Sequence, residues 1–102
     1  MHGEKIIIHI DDEDILELIP DYLQSRSEEL IVLKDASMNR DSRTIGAIGH
    51  KLKGSGGAYG LDHISELGNT LEKCAKLENW AEIDLAIADL QNFVTCIEIV
   101  GP

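Results

Sequence analysis

Residues 45–56 read Ile45-Gly46-Ala47-Ile48-Gly49-His50-Lys51-Leu52-Lys53-Gly54-Ser55-Gly56. Ile45, Ile48 and Leu52 recur at three- and then four-residue intervals, the spacing of an apolar face on an α-helix. At roughly 100° per residue, His50 lies about 200° from Leu52 and off that stripe, so its ring is predicted to face water. The residues four before and four after it share its face, and both are glycine, Gly46 and Gly54. Helical side chains lean toward the N-terminus, so a larger residue at 54 would lean over the imidazole. Each glycine costs roughly 0.5–1 kcal/mol relative to alanine inside a helix. Gly49 is accounted for by close helix packing. Gly46 and Gly54, on the exposed stripe, are better explained by access to the ring.

Two cations flank the histidine, Lys51 next to it and Lys53 at i+3. Ammonium groups placed there can stabilise the oxygens of a phosphoryl group arriving on His50. Charge along the chain is uneven in the same sense. The formal net charge is -10, yet residues 40–61 hold Arg40, Arg43, Lys51 and Lys53 against the single acid Asp41. That stretch is therefore +3 and the other 80 residues are -13. A basic stretch on an acidic protein is either a docking surface for something negative or a chance cluster.

Outward from this segment the chain reads as helices joined by short turns. Acids at its start make Asp11–Leu18 a short helix, ended by Pro20, which is welcome in a first turn but breaks a helix interior. A longer helix from about Pro20 to Ala36 carries on the apolar stripe of Leu16, Ile19, Leu23, Leu30 and Leu33. Arg26 interrupts that stripe, as a snorkelling side chain at its edge or as a polar contact near the working site. Asp41 or Ser42 caps the helix that runs to about Ala58, and Gly56, Gly57 and Gly60 terminate it. The next helix starts near Asp62 and buries Ile64, Leu67, Leu71 and Cys74 or Ala75. The last opens with Asn79-Trp80-Ala81-Glu82 and buries Ile83, Ile87, Leu90, Val94 and Ile97.

These spacings predict an all-α protein: an antiparallel up-down-up-down four-helix bundle over about residues 12–97, with a short N-terminal lid helix. Lys5–Ile10 and Thr95–Val100 are rich in β-branched residues and would emerge at one end of such a bundle. They are predicted to pair there as a small strand ribbon.

A length of 102 residues, 43% of them hydrophobic, suits one domain over 1–102 with a core that needs no metal or disulfide. Cys74 and Cys96 lack zinc spacing and form no secreted disulfide framework, so both are read as reduced thiols of a cytoplasmic protein. No apolar run approaches the roughly 20 residues that span a bilayer, and no cleavable signal pattern opens the chain. The acidity argues against nucleic acid as a partner. His2, His9 and His63 carry no metal-ligand spacing, so no metal or cofactor is expected on the chain.

The run His50-Lys51-Leu52-Lys53-Gly54-Ser55-Gly56 followed by Tyr59-Gly60-Leu61 resembles the signature of the histidine-containing phosphotransfer family. That family shows His-x-Leu-Lys-Gly-Ser/Gly-Ala/Ser/Gly, then an apolar residue and glycine at the same offsets. The resemblance extends through the helix pattern from about Asp12 to Val94. Glycine at 56 in place of the commoner alanine and the β-like ends depart from it. The resemblance implies that His50 is the phosphorylated residue, Lys53 the assisting cation and Gly54 the access glycine. An antiparallel neighbour would bring Asn69, Glu72 or Lys73 level with His50. Some members carry Glu or Gln 22 residues after the histidine, here Glu72, which orients the ring or is simply an exposed helix residue.

The function so implied is that of a phosphorelay shuttle, exchanging a phosphoryl group between His50 and the aspartate of a response-regulator receiver domain. Gly46, Lys51, Gly54 and Arg43 would form the docking face, and Mg²⁺ would come with the receiver. No Walker or kinase glycine-rich loop is present, so no autonomous kinase activity is expected. The alternatives are a phosphoacceptor serving a separate histidine kinase directly, and a non-catalytic adaptor bundle. A monomer is expected, since no long apolar stripe remains once the bundle forms.

Overall fold

The computed structural model describes residues 4–102; His2 lies outside the described residues. Chain order is strand β1 (Ile6–His9), helices α1 (Glu13–Met38), α2 (Ser42–Ser55), α3 (Asp62–Lys76) and α4 (Trp80–Cys96), and strand β2 (Ile97–Val100). A single 3-10 turn, Gly57–Tyr59, stands between α2 and α3. The four-helix bundle and the strand pair both stand.

The lid helix does not. Asp12 caps α1 by accepting from the Asp14 and Ile15 amides, and the helix then runs unbroken through Pro20 for 26 residues. A proline inside a helix costs about 3 kcal/mol through its missing N–H and its ring. Here Pro20 is exposed, so water can serve the carbonyl left without a donor. Leu16, Ile19 and Leu23, on both sides of the proline, belong to one core. Packing along the whole length of α1 outweighs the local break.

Helix ends are otherwise set by local chemistry. The Asp41 carboxylate accepts from the Thr44 amide at 3.1 Å and from its hydroxyl at 2.6 Å to cap α2, and Asn79 caps α4 through the Glu82 amide. Helix α2 stops at Ser55 rather than Ala58, because Gly56 and Gly57 tighten into the 3-10 turn and Gly60 (φ 76°) reverses the chain.

The interior is built from Leu33, Ile45, Leu52, Leu61, Ile64, Leu71, Ile83 and Leu90, all fully buried. The tightest helix pair is α2 with α3, and glycine makes it so. A Cβ on Gly68 would lie 2.4 Å from the Lys53 amide nitrogen and 2.6 Å from the Gly49 carbonyl oxygen. One on Gly49 would lie 2.7 Å from the Glu72 amide nitrogen. The two backbones touch at these points, which sets the distance between the faces carrying residues 50 and 72.

At one end β1 and β2 pair in parallel, Ile6 with Ile97 through His9 with Val100, and the Ile10 amide donates to the Val100 carbonyl at 2.9 Å. Ile6, Ile8, Ile97 and Ile99 pack on the core, and Ile10 is buried in it. The strands are shorter than the β-branched runs suggest: Thr95 and Cys96 complete α4, while Lys5 and Ile10 lie outside β1. Ile97 is where the backbone turns from helical to extended (φ -66°, ψ 136°).

Candidate functional site

Helix α2 presents His50 to solvent, with 76% of its side chain exposed. The ring is nonetheless held. Its Nδ1 lies 2.8 Å from Oε2 of Glu72 on α3. Of the three polar residues that could stand level with His50, the close approach of α2 and α3 brings up Glu72. Its side chain is only 20% exposed, so the carboxylate sits in the groove between the helices. The other oxygen, Oε1, lies 3.6 Å from Lys53 Nζ.

The hydrogen bond from His50, aided by the nearby charges of His50, Lys53 and Lys76, holds the Glu72 carboxyl below its ordinary value of 4.5. An ionised carboxylate only accepts hydrogen bonds, so Nδ1 must donate. In the neutral imidazole the proton then sits on Nδ1, and the lone pair is left on Nε2. No protein group among the described residues bonds to Nε2. The arrangement is an accessible nitrogen nucleophile of defined tautomer, with an anion behind the ring.

The two glycines on the histidine stripe differ. A Cβ at Gly54 would meet nothing within 4 Å, so that side of the ring is open. A Cβ at Gly46 would rest 3.5 Å from the Ala75 Cβ in ordinary contact, so Gly46 is tied to the packing of α2 on α3 as well as to access. Arg43, Gly46, Glu72, Ala75 and Lys76 border a shallow cleft beside the histidine. Lys51 stands on the other flank, paired with Glu29 of α1.

Arg26 takes the polar-contact reading. It is buried, its Nε donates to Glu29 Oε1 at 2.7 Å, and its guanidinium lies 4.2 Å from the centre of the Tyr22 ring. Tyr22 in turn stacks on Tyr59 (4.1 Å) and shares a 2.8 Å hydrogen bond with Ser55. Glu29 was not legible in the sequence as part of the site. The one signal was its place three residues after Arg26, on the side of α1 that breaks the apolar pattern. Gly68 gave only a weak signal, since a lone glycine inside a helical pattern costs helix propensity and so calls for a packing reason.

His63 has partners of its own: its Nε2 lies 3.0 Å from Asp89 Oδ1 on α4, and its ring packs 5.0 Å from Phe93. Among the described residues no three His, Cys, Asp or Glu side chains are grouped to hold a metal ion, and both cysteines are free. No helix of the described chain is long and apolar enough to cross a membrane.

The Hpt domain family model matches residues 13–98, from the first residue of α1 to the middle of β2. No curated protein and no solved structure matches the chain.

Proposed function

Because the chain belongs to the Hpt domain family, we propose that its histidine phosphotransfer role is that of a shuttle. In this reading His50 accepts a phosphoryl group from the aspartyl phosphate of a response-regulator receiver domain and returns it to another. The observation that carries it is an exposed imidazole whose Nδ1 is hydrogen-bonded to Glu72 at 2.8 Å.

Chemically, the Nε2 lone pair attacks phosphorus as the bond to the aspartate oxygen breaks, and the aspartate leaves as carboxylate. Nδ1 keeps its proton throughout. The imidazole therefore becomes a phospho-imidazolium, and the Glu72 carboxylate faces the positive charge that develops. Lys53 is placed to meet phosphoryl oxygens, and Gly54 leaves the approach open. Phosphoryl transfer passes through a loose transition state, so positioning and charge are the main contributions a protein makes. The receiver would bring Mg²⁺ and its own acids, which accounts for so sparse a site here. Arg43, Gly46, Lys51 and Gly54 form the docking face. This reading places the domain in the cytoplasm as a monomer, in keeping with its two free thiols.

The test is incubation with a phosphorylated receiver. His50→Gln is expected to abolish labelling of the domain with its far-UV helical signal unchanged. Labelling that survives the substitution refutes the assignment.

The Glu72 contact also suits direct phosphorylation by a separate histidine kinase. The ATP γ-phosphoryl is a less reactive donor than an acyl phosphate, so a carboxylate that orients the ring and faces its developing charge matters more there. Labelling by a kinase with ATP, but not by any phospho-receiver, would favour that second reading. Binding without labelling by either would indicate an adaptor.

A further inference from the structure

Arg26 and Glu29 form an ion pair with side chains 8% and 12% exposed, inside the seam between α1 and α2. A buried pair is weak evidence for stability, because desolvating both charges offsets their attraction. This one has a third member. Glu29 accepts from Arg26 at Oε1 and faces the Lys51 ammonium with Oε2, and the Lys51 side chain is itself 59% exposed. The cluster carries two cations and one anion, so a net positive charge is left on its solvent side, at Lys51.

Position decides what that charge can do. On α2, Lys51 lies about 100° to one side of His50 and Lys53 about 60° to the other. Each lysine reaches back to a carboxylate on a different neighbouring helix, Lys51 to Glu29 on α1 and Lys53 to Glu72 on α3. His50 stands on a ridge between two tethered ammonium groups. A free lysine gives up much rotamer freedom when it is held in a complex, and a tether imposes that loss beforehand.

We propose that Glu29, fixed from behind by Arg26, is a positioning residue that presents Lys51 as a pre-ordered cation for the acidic rim of the phosphorylated partner, and so governs how tightly that partner docks. The proposal rests on the receiver-exchange reading above. Glu29 touches neither His50 nor the phosphoryl group; it acts through Lys51.

The experiment measures steady-state transfer to the intact domain from one aspartyl-phosphorylated receiver, the fastest donor among those of the source organism. Lys51→Ala leaves the Arg26–Glu29 pair in place and is expected to raise KM about three- to tenfold, with kcat within about twofold. Glu29→Gln should raise KM similarly, and combining it with Lys51→Ala should add nothing further. Lys51→Arg, which can still reach Glu29, should restore most of the loss. The inference is overturned if KM is unmoved by Lys51→Ala, if Glu29→Gln keeps its full effect without Lys51, or if Glu29→Gln lowers the melting temperature alone. A wild-type domain that takes no label from any phospho-receiver removes the docking reading and this inference together. Labelled wild type with unmoved KM in the variants removes only the role of Glu29.

Discussion

At the scale of single residues, the proposed function rests on a carboxylate and on a missing side chain. Glu72 accepts from Nδ1 and thereby decides which ring nitrogen is free. Glu72→Gln preserves size but can no longer carry the charge proposed to balance a phospho-imidazolium. By analogy with other carboxylates that orient a histidine, transfer should slow about ten- to hundredfold while the thermal midpoint barely moves. Quench-flow labelling alongside a melting curve checks this, and a large loss of stability with normal transfer would make the contact structural. In the proposed reading Gly54 acts by what it lacks. A Cβ there meets open space, so Gly54→Leu should fold normally and still slow transfer, because the added side chain obstructs the partner rather than the domain itself. Unchanged kinetics in that variant would remove the access argument.

At the scale of elements, the α2–α3 pair makes the site possible. Gly49 and Gly68 bring the two backbones into contact, and only at that separation does a glutamate on α3 reach the outward-facing ring on α2. Gly68→Ala would force a methyl to within 2.4 Å of the Lys53 amide nitrogen, so the helices must part. Overpacking of this kind costs typically about 1–3 kcal/mol. Denaturant unfolding should show a loss in that range, and transfer should fall further than stability as His50 and Glu72 separate. A variant of wild-type stability would show that the helix pair can shift without cost. The α1–α2 seam is of another kind, an aromatic and ionic ladder of Tyr22, Arg26 and Glu29 facing Ser55 and Lys51. Its polar members explain why the α1 stripe is interrupted at Arg26.

At the scale of the whole molecule, two carboxylates link the architecture to pH. Asp41, capping α2, is held below its ordinary 3.8, first by the Thr44 hydroxyl and then by the Thr44 amide; Glu72 is held below 4.5 chiefly by His50. A carboxyl whose folded value lies below its unfolded one contributes stability that is complete above the unfolded value and is lost as pH falls through the folded one. Stability should therefore decline as pH drops below about 4.5 and on past 3.8. In a combined Asp41→Asn and Glu72→Gln variant that acid limb should be shallower, as read by denaturant unfolding across the same range. An identical slope would mean that other carboxyls dominate.

The sequence alone determined the helical class, the shared end of the two β-branched segments, and a histidine turned off the apolar stripe between glycine and lysine neighbours. The first and third come from periodicity within one element and the second from an even number of helices joined by short turns, all of which a linear chain displays directly. Only the tertiary structure decided the continuity of α1 through Pro20, the parallel sense of the strands, Glu72 over Asn69 and Lys73, and the tether from Arg26 through Glu29 to Lys51. Those depend on the rotation of each helix and its distance from the next. Both are set by interlocking side chains and by backbone contact at Gly49 and Gly68, and spacing along a single helix contains neither.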